Sequence, residues 1–249
     1  MSATSPRAAA PEIRRARPSA RALTFALLSA VYAVGVVCSG VALGLPAPSV
    51  VVAVGAFVLA SVVCGILLRS HHGHVRLGAA NAVTLLRLGI VAVLIAILLA
   101  PLAAPAVVMA LATVALCLDG VDGFLARRQG LQSRFGAAFD MEVDSALALV
   151  LSVLAAFGPA GPLALLLGLP RYVFGAAALA LPWINAPLAA RFSRKAICVF
   201  QIIALIVLQL PTLPSWAALS IVGVTLALVA WSFTVDIFQA RAARTRSTT

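Results

Sequence analysis

Eight apolar runs, each close to the length of a membrane span, limit most strongly what this chain can fold into. A helix needs about 20 residues to cross the hydrocarbon core of a bilayer. Runs of this length are typical of transmembrane helices. The sequence therefore predicts an all-α, polytopic transmembrane helical bundle, with spans near residues 22–44, 49–68, 82–100, 104–124, 136–157, 163–183, 196–212 and 215–237.

The composition excludes an ordinary soluble domain. Hydrophobic residues make up 63% of the 249 positions and charged residues only 10%, which is far from the composition of soluble proteins. The net charge of +11 could indicate nucleic-acid binding, but the basic residues lie in short segments between apolar runs, without a basic patch of interleaved aromatics. We expect contacts with membrane lipids and no nucleic-acid partner.

The basic residues also predict the topology. With eight spans, both termini lie on the same side of the membrane, and the connections on the opposite side carry no charge. Positively charged segments favour the cytoplasmic side. We therefore expect a bacterial-type plasma membrane protein with cytoplasmic basic tails at residues 1–21 and 239–249. The other basic segments on that side contain Arg69, Arg76, Arg127, Arg128, Arg134, Arg191, Arg194 and Lys195.

The acidic residues are concentrated in one stretch. The chain has seven Asp and Glu residues, and five of them are Asp119, Asp122, Asp140, Glu142 and Asp144. A carboxylate beside hydrocarbon costs about 2.5–3.5 kcal/mol at a helix centre on insertion scales. A cluster of them in so apolar a chain needs a compensating cation or a watery cavity, which indicates a functional site.

The spacing of the aspartates predicts their geometry. Asp119 and Asp122 share one face of a helix, and Asp140 and Asp144 share one face of another. The segment between the pairs contains three glycines and can turn, so two facing helices would present four carboxylates to one volume. Oxygen donors of this kind suit Mg²⁺ or Mn²⁺, and four carboxylates could hold two ions.

These residues form a motif, Asp119-x2-Asp122-Gly123-x2-Ala126-Arg127-x8-Gly136-x3-Asp140-x3-Asp144. The motif resembles the complete signature of the CDP-alcohol phosphatidyltransferase family, and all eight fixed positions match. The six later spans match the size of the family's six-helix core, so the resemblance covers residues 77–238. Two additional spans within residues 22–68 lie outside it. A homodimer is expected from the resemblance alone.

The resemblance implies a reaction and roles for the acids. It implies transfer of a phosphatidyl group from CDP-diacylglycerol to an alcohol acceptor, with release of CMP, in phospholipid biosynthesis. Asp119, Asp122 and Asp140 would hold metal ions at the diphosphate. Asp144 would contact the second ion and act as general base on the incoming hydroxyl.

The resemblance also suggests contacts to the CDP-lipid. Arg127 carries a permanent charge that can fork onto diphosphate oxygens, and similar polar groups in the family contact the nucleotide. An alternative for the Asn81-x2-Thr84-x2-Arg87 group is a helix N-cap by Asn81, with Arg87 extending to lipid headgroups. The predicted contacts are Asn81, Thr84, Gly123, Arg127, Ser133 and Gly136.

The acceptor is less constrained. A phosphorylated acceptor such as glycerol 3-phosphate or inositol phosphate would need further cations, and four basic residues near the cytoplasmic side could supply them: Arg171, Arg191, Arg194 and Lys195. Arg171 lies inside a predicted span, where the alternative is a structural ion pair. The other three could simply be topology signals.

Other functions remain open at this point. The same chemistry could transfer a phosphoalcohol from a soluble CDP-alcohol to a lipid hydroxyl. The carboxylates could instead form a cation transport site, although acids crowded at one face fit a transport path poorly. An inactive family member, or a charged loop with incidental aspartates, would also have this sequence.

Overall fold

The computed structural model describes residues 19–71, 78–100, 105–129, 133–180 and 192–247. Over these residues the prediction of an all-α protein is confirmed, since helices and short connections account for them. The α-helices are α1 (Ser19–Ala42), α2 (Ala47–His71), α3 (Ala79–Leu98), α4 (Pro105–Gln129), α5 (Arg134–Ala156), α6 (Leu165–Gly168), α7 (Pro170–Ala180), α8 (Phe192–Val207) and α9 (Ser215–Ser247), with a 3-10 helix, Gly161–Ala164, before α6.

Helix α3 is the centre of the bundle. It packs against α4 and α5 on one side and against α1 and α2 on the other. Its span is 67% buried, whereas that of α1 is 17% buried, so α3 lies inside the protein and most of α1 faces outward. Apolar residues such as Leu85, Leu94 and Ile97 fill the contacts of α3. This position lets α3 carry side chains to both α4 and α5.

The hairpin of α1 and α2 reaches the first turns of α5. Phe25 of α1 is 3% exposed, and its ring packs edge-on against Phe139 of α5 with centroids 6.3 Å apart. Phe139 in turn stacks on Phe135 at 5.8 Å. Phe57 of α2 is also buried and lies against Gly89 of α3. The hairpin is therefore packed onto α3 and α5.

Several apolar helices indicate a multi-pass membrane protein. Among the described residues, five helices are long and apolar enough to cross a bilayer: α1, α2, α3, α4 and α9. The predicted total of eight spans is not confirmed. Helix α5 has 23 residues but contains three acids. Helix α8 has 16 residues, which is short for a complete crossing.

The predicted span 163–183 is interrupted near its middle. Pro170 has no N–H to donate to the preceding turn, and α6 ends at Gly168. The side chain of Gln201 in α8 donates to the carbonyl oxygen of Leu167, in the last turn of α6, at 2.5 Å. A Cβ atom on Gly168 would come within 2.9 Å of the Leu149 Cα atom, so glycine permits close packing of α6 on α5. The break starts α7 at Pro170 and sets the direction of Arg171.

Candidate metal centre

Three helices bring their polar residues to one place. Helix α3 supplies Arg87, α4 supplies Asp119 and Asp122, and α5 supplies Asp140 and Asp144. The i, i+3 and i, i+4 spacings place each acidic pair on one face of its helix, and α3 packs between the two helices. The structure thus brings together the four carboxylates that the spacing groups by helix face.

Arg87 lies at the centre of these carboxylates. Its side chain is 1% exposed, and its Nη1 atom lies 3.4 Å from Asp119 Oδ1 and 3.1 Å from Asp122 Oδ2. The same atom donates to Asp140 Oδ1 at 2.5 Å, and Nη2 donates to Asp144 Oδ1. One planar guanidinium therefore contacts all four acids, which the fixed fork of donors on arginine allows.

The backbone of α4 fixes the base of this guanidinium. Arg87 Nε donates to the Ala115 carbonyl oxygen at 3.1 Å, and Ala115 is fully buried. With Nε held by α4, the Nη groups extend toward both acidic pairs. The buried charge is therefore paired and hydrogen-bonded, as burial of an arginine requires.

The two predicted polar residues on α3 face the same region. Thr84 is 3% exposed, and its hydroxyl lies 3.2 Å from Asp122 Oδ2 and 3.0 Å from the Ala80 carbonyl oxygen. Asn81 is also buried, whereas the N-cap of α3 is Gly78. The alternatives of an Asn81 N-cap and of an Arg87 extending to headgroups are both wrong, because α3 is covered by its neighbours along this face.

The start of α5 has a local capping contact. Ser133 is its N-cap, and its Oγ atom accepts a hydrogen bond from the Gly136 N–H at 3.0 Å. A Cβ atom on Gly136 would lie 3.1 Å from Asn81 Oδ1. The glycine thus permits α5 to approach α3 beside the acids. Ser133 and Gly136 therefore build the first turn from which Asp140 projects one turn later.

The acids have the chemistry and spacing of a metal site. One ligand oxygen from each of Asp119, Asp140 and Asp144 lies within 4.8 Å of the others. Carboxylate oxygens are the ligands that a hard divalent cation prefers, at about 2.0–2.1 Å in the case of Mg²⁺, so a small inward shift of these side chains would bring the three oxygens into one coordination shell. Asp140 and Asp144 are about one-third exposed, so the site is open on the α5 side.

The remaining predicted nucleotide contacts are Gly123 and Arg127, which both lie in α4. Gly123 lies in α4 and is half-buried. Arg127 also lies in α4, and its description stops at the backbone. Both follow Asp122 within two turns of the helix, so their backbone positions are on the carboxylate end of α4.

Two of the four predicted acceptor cations have acidic partners. Arg171 Nη2 donates to Glu142 Oε1 at 2.6 Å, and both side chains are substantially exposed. This pair is the structural alternative considered for Arg171, formed with the fifth acid of the acidic stretch. Arg194 Nη2 donates to Asp236 Oδ1 at 2.9 Å, and Asp236 is buried. The pair therefore joins α8 to α9.

The other two predicted acceptor cations are Lys195 and Arg191. Lys195 is exposed at the start of α8, and α8 packs against both α4 and α5. Arg191 lies outside the described residues.

Arg87 is the residue at the centre of this cluster that the predicted site omitted. It shares a helix face with Asn81 and Thr84, and a charged residue in the middle of a span is a functional signal in its own right. Its position eight residues into α3, together with the four acids elsewhere, is the signal that could have identified it. The partner of the charge could not be read from α3 alone.

Comparison with known proteins agrees with the motif. A model described as CDP-alcohol phosphatidyltransferase matches residues 77–236, which contain α3, α4, α5 and all four aspartates. Comparisons with curated proteins and with solved structures found no match. The family match covers well over half of the chain. The chain therefore belongs to the CDP-alcohol phosphatidyltransferase family.

Proposed function

We propose that this protein transfers a phosphatidyl group from CDP-diacylglycerol to an alcohol acceptor, releasing CMP, as a step in phospholipid biosynthesis. Membership of the family supports transfer of a phosphoalcohol or phosphatidyl group between a CDP-alcohol and an acceptor alcohol. The observation that carries the proposal is the convergence of four carboxylates from α4 and α5 within the matched region.

The four aspartates are the proposed metal ligands. Asp119, Asp122 and Asp140 would hold Mg²⁺ or Mn²⁺ ions at the diphosphate, and Asp144 would contact the second ion. The all-oxygen donor set supports this assignment, and the close approach of Asp119, Asp140 and Asp144 supports a shared ion-binding volume. When bound, such ions neutralise the charge of a diphosphate and polarise an incoming hydroxyl.

Asp144 is the proposed general base. Its side chain is 37% exposed, compared with 11% for Asp119 and 4% for Asp122. The Asp140 side chain is 35% exposed, so an acceptor hydroxyl has easier access to the two acids on α5 than to those on α4, and the family motif assigns the base to Asp144. A base must lie within hydrogen-bond reach of the proton it takes, and this accessibility supports the choice of Asp144.

The CDP-lipid would lie between the starts of α3 and α5. Buried Asn81 and Thr84 offer an amide and a hydroxyl there, and Ser133 with Gly136 forms the opposing turn. Gly123 would allow the nucleotide to approach α4, and Arg127 would fork onto the diphosphate oxygens. These assignments follow the family motif residue by residue.

The acceptor is proposed to carry a phosphate, such as glycerol 3-phosphate or inositol phosphate. Lys195 supports this because it is exposed at the start of α8, which packs against the two helices that carry the acids. The Arg171–Glu142 pair is exposed, and exposed pairs contribute only about 0–1 kcal/mol, so a phosphate can compete for Arg171. Arg194 is held by buried Asp236 and would act with Arg191 mainly by charge.

The membrane arrangement is proposed to have eight spans with cytoplasmic termini. Helix α5, the interrupted segment 161–180 and α8 would complete the crossings that the five long apolar helices begin. The excess of basic residues on one side supports a cytoplasmic active site in a bacterial-type plasma membrane. Basic tails at 1–21 and 239–249, extra spans at 22–68, a core at 77–238 and a homodimer complete this proposal.

One assay tests the reaction. Purified protein in lipid is incubated with CDP-diacylglycerol, Mn²⁺ and candidate acceptors including glycerol 3-phosphate, inositol phosphate and serine, and CMP and lipid products are measured. We expect CMP release with a phosphorylated acceptor, loss of release in EDTA, and weakened metal and donor binding in Asp119→Asn. CMP release only from a water-soluble CDP-alcohol would reject the phosphatidyl donor. Cation flux without a nucleotide requirement would favour transport.

A further inference from the structure

Arg87 holds a position that the family reaction does not explain. Four carboxylates and one guanidinium meet around it, and three negative charges remain unbalanced within this group. Its side chain is 1% exposed and is fixed to α4 through the Ala115 carbonyl oxygen. A side chain so enclosed cannot turn away to headgroups, so its charge stays at the acids.

We propose that Arg87 is a built-in counter-cation, which holds the four carboxylates together when no divalent ion is bound and competes with divalent ions for the same oxygens. The inference rests on the metal site of the proposed function and concerns how strongly that site binds. Arg87 is a positioning residue in this proposal, because it acts through the acids.

The competition follows from shared ligands. The three acids whose oxygens could surround one ion are Asp119, Asp140 and Asp144, and Arg87 contacts each of them. A divalent ion there must lie beside the guanidinium, and two like charges at this distance repel strongly where water is excluded. Ion binding therefore has to weaken some of the Arg87 contacts.

The stabilising effect follows from the same geometry. Without a cation, four carboxylates held within one small volume repel one another, and desolvation makes the repulsion larger. Arg87 removes part of that repulsion and links α4 to α5, which make few direct contacts with each other. The ends of these helices can then stay assembled before any ion arrives.

The test compares Arg87→Gln with wild type in two measurements. Mn²⁺ affinity is measured by electron paramagnetic resonance on protein in lipid nanodiscs, and the thermal midpoint is measured in EDTA and in saturating Mn²⁺. We expect Mn²⁺ to bind at least about tenfold more tightly to Arg87→Gln, because the ion then relieves more repulsion. We also expect a midpoint at least about 5 °C lower in EDTA, largely recovered by Mn²⁺.

Arg194→Gln is the matched control. Arg194 is also a partly buried arginine paired with a buried aspartate, but its partner is Asp236 on α9. Loss of this pair lowers the midpoint in EDTA and in Mn²⁺ by the same amount, and Mn²⁺ affinity changes less than about threefold. Equal effects of the two substitutions on Mn²⁺ affinity would overturn the proposal.

Other results also decide the question. Unchanged or weaker Mn²⁺ binding in Arg87→Gln, or a loss of midpoint that Mn²⁺ does not recover, would overturn the counter-cation role. If Arg87→Gln cannot be purified even in Mn²⁺, the same two measurements are made on Arg87→Lys, and they test the proposal. That variant keeps the charge, so its Mn²⁺ affinity stays within about threefold of wild type while its midpoint in EDTA falls, and a tenfold change in affinity would overturn the proposal.

These measurements are separate from the transferase assay because they contain neither nucleotide nor lipid donor. Normal Mn²⁺ binding with no CMP release would reject the proposed reaction and leave the role of Arg87 standing. Normal CMP release by the wild type, together with an unchanged Mn²⁺ affinity in Arg87→Gln, would reject the role of Arg87 and leave the proposed reaction standing. Failure of wild-type protein to bind Mn²⁺ would reject both.

Discussion

Phe25 lies outside the family-matched region, yet its ring packs against Phe139, the residue before Asp140. This contact predicts that the N-terminal hairpin helps to position the face of α5 that carries the proposed metal ligands. Replacing Phe25 with alanine removes the ring, and Phe139 loses its support from α1. We expect the Asp140 carboxylate to be held less precisely and Mn²⁺-dependent turnover to fall.

The magnitude follows from the packing of this pair. In a membrane protein the transfer of an apolar ring from lipid into the bundle gains little, since lipid tails are equally apolar. The stabilisation of the pair then comes from the specific contact between the two rings. Such aromatic contacts contribute about 0.5–1.5 kcal/mol in addition to the free energy of burying their surface. At about 1.4 kcal/mol per factor of ten, the loss in kcat/KM is about twofold to twelvefold if the whole coupling acts on the site.

The assay is a double-mutant cycle on CMP release. The variants Phe25→Ala, Phe139→Ala and the double variant are compared in saturating and limiting Mn²⁺. Leu27→Ala is the matched control, because Leu27 is on the same helix but is 59% exposed. We expect Leu27→Ala to behave like wild type and the cycle to show a coupling of about 0.5 kcal/mol or more.

Two outcomes would refute this reasoning. Additive effects of Phe25→Ala and Phe139→Ala would mean that the ring contact does not transmit to the site. Equal effects of Phe25→Ala and Leu27→Ala would assign any loss to general destabilisation of α1. Either result would leave the hairpin as an anchor without influence on α5.

Three further substitutions test separate parts of the site. Asp144→Asn should lower turnover by at least about a hundredfold, within the range of general-base catalysis, while retaining measurable CDP-lipid binding; normal CMP release would remove the assignment of the base. Gly136→Ala should lower the thermal midpoint through a cost of about 1 kcal/mol or more for overpacking against Asn81, whereas Gly120→Ala, with nothing near its added methyl group, should not. Lys195→Gln should raise the KM for a phosphorylated acceptor about tenfold with little change for the CDP-lipid, and an unchanged KM would reject a phosphate contact by Lys195.

The helical class and the grouping of the acids could be predicted from the sequence because both depend on local spacing. Apolar runs of about 20 residues favour helices in a membrane, because the backbone groups must be hydrogen-bonded within the segment. Residues three or four apart share a helix face, which places Asp119 with Asp122 and Asp140 with Asp144. The signature formed by these residues also identified the family, which the match over residues 77–236 confirms.

The number of complete spans depended on contacts between helices. A run that reads as one span at 163–183 is divided at Leu169 and Pro170, and Gln201 of α8 donates to the Leu167 carbonyl oxygen in the last turn before the break. Hydropathy sums apolar residues along the chain and does not register such a break. The sequence therefore overestimated the continuity of this helix.

The sequence by itself determined which residues share a face of their own helix, and so it determined the two acidic pairs and the family. Only the tertiary structure decided which charges meet: Arg87 with all four aspartates, Arg171 with Glu142, and Arg194 with Asp236. The physical reason is that periodicity is a property of one helix, whereas the partner of a buried charge is set by how separate helices pack. In a chain with few acids, that packing determines which arginine lies at the metal centre.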